Sequence, residues 1–193
     1  MNLILDLSAP ILCILCVLCS IVGLYFWKKC EWPVRYWIIP FSVLYAWMLI
    51  KLTLFPVYIY DRETLEAIKE GAGDYFVFCQ WIPFASIRNY LAPGAKVQLV
   101  GNLFLLAPLA VFIEVFTMQR LKPCKAILLG SSVSFGIELL QLVTNLATGF
   151  PARVTDVDDL ILNISGIICT VVLLRCIRKY KSVYKGIENI LYR

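Results

Sequence analysis

The sequence predicts an all-α protein, a polytopic membrane helix bundle of about five transmembrane helices that forms one domain over residues 1–193. Its residues are 61% hydrophobic and only 16% charged, and the mean hydropathy is +0.80. Soluble domains have about 45–50% apolar and about 25% charged residues. Apolar stretches of membrane-span length, about 20 residues, also recur along the chain. The function is therefore expected in the bundle and its loops.

Five apolar stretches define the predicted spans, at residues 3–27, 36–58, 97–116, 126–146 and 160–177. The first is predicted to stay in the membrane rather than to be cleaved as a signal peptide. No Lys or Arg precedes it, and it exceeds the usual apolar core of about 7–15 residues. Three of the connecting loops are short, so consecutive spans are predicted to be antiparallel neighbours.

The second loop is long and has two parts. Residues 61–70 predict a short helix that ends at Gly71-Ala72-Gly73. Residues 75–84 are aromatic and broken by Pro83, too short to span the membrane and too apolar for open solvent. This segment is predicted to be an interfacial or re-entrant outer loop. An aromatic belt that anchors the bundle is an equally good interpretation.

The distribution of basic residues predicts the orientation in the cell membrane. Most of the 18 Lys and Arg residues lie in the first loop, the third loop and the C-terminal tail. The positive-inside rule then places the N-terminus outside and the C-terminus in the cytoplasm. Residues 178–193 combine an apolar stripe with lysines, which predicts a basic amphipathic helix on the cytoplasmic membrane surface. This tail accounts for most of the net charge of +5, so no nucleic-acid partner is expected.

The chain contains no histidine, which excludes His-dependent catalytic triads and His metal ligands. Its eight cysteines lie mostly within or beside the predicted spans, where cysteine behaves as a small apolar residue. Neither a cofactor nor a bound metal is predicted.

The segment 153–166 is the strongest functional candidate. Asp156, Asp159 and Asn163 recur at helical spacing on one face that leads into an apolar run. Acidic residues at a membrane span are costly and indicate a functional site. Part of the cluster has a structural explanation, since Thr155 or Asp156 can cap the helix. Asp158, off this face, is predicted to interact favourably with the helix dipole.

Polar residues of other spans reach the same depth. At 1.5 Å per helical residue, Lys51, Asn102, Glu138 and Asn163 all fall in the outer third of the membrane core. Lys51 either snorkels to the outer interface or pairs with Glu138. On span four, Gln141 shares a face with Glu138, and Ser134 and Asn145 are predicted to be interhelical hydrogen-bonding residues. Glu114 is predicted to be interfacial at the cytoplasmic end of span three.

The predicted binding site consists of residues from three spans and the fourth loop: Asn102, Glu138, Gln141, Arg153, Asp156, Asp159 and Asn163. Its carboxylates Glu138, Asp156 and Asp159 are the candidates for catalysis, if the protein is an enzyme. They could bind a cationic group, hold a divalent ion or act in acid–base catalysis. The residues alone leave this choice open.

Several of these motifs together resemble the VanZ-like family over about residues 50–175: Leu54-Phe55-Pro56, Ile82-Pro83-Phe84, Asn102 with Pro108, the Glu138–Gln141 pair, and the segment 153–166. Two positions depart from the family pattern, Gln80-Trp81 where Asn is usual and Leu109 where Gly commonly follows the proline. The resemblance implies a membrane protein of mainly Gram-positive bacteria. The namesake of the family gives resistance to teicoplanin but little to vancomycin, by no established mechanism.

Three functions compete. The first is an outer-leaflet polar site that binds an amphiphile, either membrane lipid, the lipoglycopeptide or a lipid-linked envelope precursor. The second is a membrane enzyme that modifies a lipid-linked envelope component with Asp159 and Glu138. The third is an accessory subunit that docks another membrane protein. The acidic cluster favours the first two, and the absence of His and of a phosphate-binding loop favours the first.

Overall fold

The computed structural model describes residues 2–7, 14, 17, 18, 21, 33–91, 96–117, 120–180 and 185. In chain order the elements are β1 (Leu3–Leu5), α1 (Pro33–Leu54), β2 (Val57–Ile59), α2 (Arg62–Ala72), a 3-10 turn (Gly73–Tyr75), β3 (Cys79–Gln80), α3 (Ala85–Tyr90), α4 (Lys96–Leu105), α5 (Ala107–Phe116), α6 (Pro123–Thr148), β4 (Thr155–Asp156) and α7 (Val157–Lys179). The structure confirms an all-α membrane bundle.

Three helical segments of the described part are long and apolar enough to cross a membrane, Lys96–Phe116, Pro123–Thr148 and Val157–Lys179. They correspond to the third, fourth and fifth predicted spans. The first of them is broken at Leu106 into α4 and α5, with Pro108 in the first turn of α5. Proline is tolerated there because its missing N–H would have no helical partner. The described apolar part of α1, Ile38–Leu54, is shorter than a span.

The bundle has a small core and an apolar exterior. Helix α7 packs against α4, α5 and α6, and the buried side chains include Leu106, Ile137, Ile167 and Val171. On the outer faces, large apolar residues such as Leu128 and Leu146 are more than half exposed. Helices that are apolar on all sides are typical of membrane spans, where the outer face contacts lipid.

Two predicted span boundaries are wrong. Leu3–Leu5 and Val57–Ile59 are not helical but pair as an antiparallel ribbon, with Leu3 opposite Ile59. Helix α1 ends at Leu54, two residues before Pro56, because a proline disfavours helical geometry in the residue that precedes it. Most of the first predicted span lies outside the described residues, as do residues 181–184 and 186–193 of the predicted amphipathic tail.

Lys51 contacts the N-terminal segment. Its ammonium group donates to the Leu7 carbonyl at 2.9 Å and lies 3.7 Å from the Asp6 carboxylate. It does not pair with Glu138. Lys51 therefore does not join the polar residues that were predicted to meet at one depth of the bundle. The chain places a residue from its own N-terminus beside Lys51 instead, and this contact spans 44 positions of sequence.

The first part of the second loop folds as predicted. The Asp61 carboxylate caps α2 by accepting the Thr64 N–H at 3.0 Å, and this hydrogen bond lowers the pKa of Asp61 to about 2. Gly73 ends the helix with a φ of +51°, a conformation that glycine adopts without steric cost. Both helix boundaries are therefore encoded locally.

Close helix packing requires a glycine on α7. A Cβ atom added at Gly166 would lie 1.8 Å from the Leu103 carbonyl oxygen, so α4 and α7 approach with their backbones almost in contact. On the other side of α7, a Cβ at Gly130 of α6 would meet the Ile167 side chain at 3.1 Å. Gly130 and Ile167 thus lie opposite each other and set the register of the antiparallel pair α6–α7.

The prediction that Glu114 is interfacial is wrong. Its side chain is 1% exposed and forms an ion pair of 2.9 Å with Arg175 on α7. The same guanidinium donates to the Leu121 carbonyl at 2.7 Å. This buried pair joins α5, α7 and the loop before α6 at the end of the bundle opposite the predicted site.

Candidate functional site

Four helices meet the long loop at one end of the bundle. Helices α1 and α6 end there and α4 and α7 begin there, together with residues 55–91 and 149–156. We call this the loop end. All seven predicted binding residues lie on elements that start, end or connect at it.

Asp158 fixes the loop onto the bundle. It is fully buried, at 0% exposure. Its carboxylate accepts the backbone N–H groups of Phe84 at 2.6 Å, Ser86 at 2.8 Å and Ile87 at 3.0 Å. These groups are the free donors at the start of α3, which a carboxylate satisfies well. Asp158 was predicted only to interact with the dipole of its own helix, and its main role is to hold α3.

A short parallel strand pair joins the second and fourth loops. Cys79 lies opposite Thr155 and Gln80 opposite Asp156. The Asp156 side chain caps α7 by accepting the Asp158 N–H at 2.8 Å, as the capping prediction allowed. Burial raises the pKa of the Cys79 thiol.

Glu138 approaches the same strand from α6. Its side chain is 7% exposed, and Oε2 accepts the Asp156 N–H at 3.0 Å. Asp159, one turn into α7, accepts a short hydrogen bond from the Asn102 amide of α4. The carboxylates of Glu138, Asp156 and Asp159 lie close enough to repel one another. Three elements thus bring negative charge to one point.

Gln141, Asn145 and Arg153 tie the site to neighbouring backbone. The Gln141 amide donates to the Thr53 carbonyl at 2.8 Å, and the Arg153 guanidinium donates to the Phe55 carbonyl at 3.1 Å. Asn145 donates to the Arg153 carbonyl at 2.6 Å, so it has the structural role predicted for it. The end of α1 is therefore held by α6 and the fourth loop.

Asn163 lies one turn deeper than Asp159 on α7. It is 2% exposed, and its Oδ1 has no hydrogen-bond partner among the described residues. The register set by Gly130 and Ile167 places Ser134 of α6 opposite Asn163. Ser134 Oγ, fully buried, likewise has no partner in the described part of the chain. A pair of buried polar groups therefore continues the site inward.

Two open spaces adjoin these groups. A cavity of about 680 Å³ is lined largely by polar side chains, among them Gln80, Asn89, Gln98, Gln141, Arg153, Asp156 and Asp159. A smaller groove of about 140 Å³ has an almost wholly apolar wall, and it is lined by Trp81, Phe135, Glu138, Leu139, Leu142, Thr155, Asp156, Val157 and Leu160. Asp156 lines both. The site therefore offers a polar space beside an apolar one.

The structure brings the predicted residues together in different roles. Gln141, Arg153, Asp156 and Asp159 line the cavity, and Glu138 lines the groove. The remaining two predicted residues, Asn102 and Asn163, line neither space. Asn102 donates a hydrogen bond to Asp159, and Asn163 lies one turn below Asp159 on α7. The prediction missed Gln80 and Asn89, which the second loop brings to the cavity, and Gln98, which lies on α4. In the part of the chain that the structure describes, no group of three or more His, Cys, Asp or Glu side chains is arranged to hold a metal ion.

The apolar exterior, the long helices and this polar end define a polytopic membrane protein with a recessed polar site. The VanZ/LLP1 family model matches residues 41–178, more than half of the 193-residue chain. The chain therefore belongs to the VanZ/LLP1 family. No curated protein and no solved structure matches it.

Proposed function

We propose that this chain binds an amphiphile at the loop end, on the outer face of the cell membrane, and thereby gives resistance to lipidated glycopeptides of the teicoplanin type. The observation that carries the proposal is the polar cavity beside an apolar groove, with Asp156 lining both. An amphiphile has a matching division into head and chain, and its chain belongs in the groove that faces lipid.

The lining of the two spaces supports this assignment. Trp81 and Phe135 offer broad apolar surfaces in the groove, and Trp81 is 68% exposed. Aromatic residues of this kind are enriched at membrane interfaces, where head groups and acyl chains meet. In the cavity, Arg153 and the amide side chains of Gln80 and Gln98 can hydrogen-bond a polar head. Family membership agrees with a role at the cell envelope.

The side of the membrane is part of the proposal. The basic residues of the third loop, and Arg178 and Lys179 at the end of α7, lie at the opposite end, which the positive-inside rule assigns to the cytoplasm. A variant with Cys124 as its one cysteine should resist a membrane-impermeant maleimide added outside, because Cys124 is exposed at the start of α6. Asp74→Cys in a cysteine-free chain should be labelled. The reverse labelling pattern would place the site on the cytoplasmic face.

The function is tested by expression in a glycopeptide-sensitive Gram-positive host. Teicoplanin susceptibility should fall and vancomycin susceptibility should change little. Asp159→Asn should remove the effect, whereas Glu70→Gln should keep it, because Glu70 is an exposed carboxylate of α2 outside both spaces. Unchanged susceptibility to both drugs, with the protein present in the membrane, would refute the proposal.

A second candidate is catalysis on a lipid-linked envelope component. It is favoured by one observation, that Glu138 of α6 and Asp159 of α7 each accept a hydrogen bond through one carboxylate oxygen. A second oxygen of each could exchange a proton with a bound group. Mass spectrometry of envelope lipids from cells with the wild-type chain and with Glu138→Gln tests it. A modified lipid that only wild-type cells contain supports catalysis, and identical lipid profiles exclude it.

A further inference from the structure

Negative charge exceeds positive charge at the site. Asp156 and Asp159 line the cavity and Glu138 lies beside the groove, whereas Arg153 is the one basic side chain of either lining among the described residues. Among the described residues, the salt bridges are formed by Lys51, Arg62 and Arg175 with carboxylates elsewhere. Charge that is poorly solvated at membrane depth requires compensation. The site is therefore suited to a cation.

Hydrogen-bond acceptors also lack donors there. Gln141 donates through Nε2 to the Thr53 carbonyl, which fixes its amide and leaves Oε1 buried. Neither this oxygen nor Asn163 Oδ1 has a partner in the described part of the chain, and Asn163 is 98% buried, being 2% exposed. Buried polar atoms are almost always paired, so each exception requires an explanation. Gln141 Oε1 belongs to the cavity lining, so its missing partner there is a donor, whereas Asn163 lines neither space.

We propose that the site recognises a primary ammonium group carried by the amphiphile. An ammonium combines one positive charge with three N–H donors and no acceptor, which matches the deficit of charge and donors. It would lie in the cavity against Asp156 and Asp159, the two carboxylates of its lining. Arg153, at the exposed rim, is left to contact a phosphate or carboxylate beside the amine.

The size and composition of the cavity favour a head group over a bare metal ion. At about 680 Å³ the cavity exceeds what a coordinated ion occupies, and a groove for an acyl chain adjoins it. The described residues also contain no set of three potential metal-binding side chains of the usual types. Two amphiphiles share the ammonium chemistry, an aminophospholipid and an amine-bearing lipidated glycopeptide. This inference rests on the proposed function and names its ligand class.

The test measures binding to the full-length protein in nanodiscs of phosphatidylcholine, whose head group has no N–H. Fluorescent phosphatidylethanolamine is compared with its N-acetylated derivative, which keeps the phosphate and chains but loses the charge. The amine form should bind about 10- to 100-fold more tightly, since charge-assisted hydrogen bonds have this strength. The lipoglycopeptide and its N-acetylated form are measured in parallel. The pair that shows the preference identifies the source of the ammonium group.

Variants assign any preference to the site. Asp159→Asn and Asp156→Asn should each abolish it, and Asp156→Asn retains an oxygen that can accept the Asp158 N–H. Glu70→Gln should leave it intact. Equal affinity for the amine and acetylated forms overturns the ammonium proposal but leaves amphiphile binding standing. Preference that persists in both site variants also overturns it. Absence of binding by every amphiphile refutes this inference and the proposed function together.

Discussion

Replacement of Asp158 by Asn tests how the second loop is held on the bundle. One carboxylate oxygen accepts the N–H groups of Ser86 and Ile87, and the other accepts that of Phe84. The asparagine oxygen can still accept the N–H groups of Ser86 and Ile87. Its NH₂ group then lies against the Phe84 N–H, and two donors cannot form a hydrogen bond. One charge-assisted bond is lost and two weaken, so α3 should be destabilised by about 2–4 kcal/mol.

Hydrogen–deuterium exchange of the peptide that spans residues 82–91 measures this effect directly. The amides of Phe84, Ser86 and Ile87 should be protected in the wild-type protein. A loss of about 2–4 kcal/mol corresponds to exchange about 30- to 1000-fold faster in Asp158→Asn. The matched control is Asp74→Asn, since Asp74 is an exposed aspartate of the same loop. Exchange of these amides that is unchanged in Asp158→Asn would refute the reasoning.

Two further substitutions test the packing of the bundle by thermal unfolding in detergent. Gly166→Ala should lower the melting temperature strongly, because the new methyl group would overlap a carbonyl oxygen, whereas Gly136→Ala should be tolerated, since nothing lies within 4 Å of its added Cβ. Equal melting temperatures for the two variants would contradict the close approach of α4 and α7. Glu114→Gln should destabilise by about 3–5 kcal/mol because it leaves a largely buried guanidinium without its partner charge. Glu66→Gln, in an exposed pair, should cost at most about 1 kcal/mol, and similar losses for both would show that the Glu114 pair is not buried in the membrane protein.

The helices and their ends could be predicted because their causes are local. Apolar stretches of span length, the cap at Asp156 and the glycine at Gly73 act within a few residues of the element that they define. The boundary at Leu3 could not be predicted in this way. An apolar segment is compatible with either helix or strand, and the ribbon that it forms depends on pairing with Val57–Ile59.

Site residues that share one face of a helix could be predicted from the sequence. Contacts that form only when distant segments of the chain fold together could not. The N–H groups that Asp158 binds lie 71 to 74 positions earlier in the chain. Glu114 and Arg175 are 61 positions apart. Neither contact leaves a pattern in the sequence, because both depend on the three-dimensional return of a distant segment. To predict that Asp158 binds the second loop, one would have needed to know that its side chain is buried.

The central claim is that an amphiphile occupies the cavity and groove at the loop end, and photocrosslinking tests it most directly. A lipid with a photoreactive group beside its phosphate is bound to the full-length protein in nanodiscs, irradiated, and its adducts are mapped by mass spectrometry. Adducts should concentrate in peptides that contain Trp81, Arg153 or Asp156 and should decrease in Asp159→Asn. Adducts spread evenly over the apolar exterior of the bundle, and unchanged in that variant, would contradict the claim.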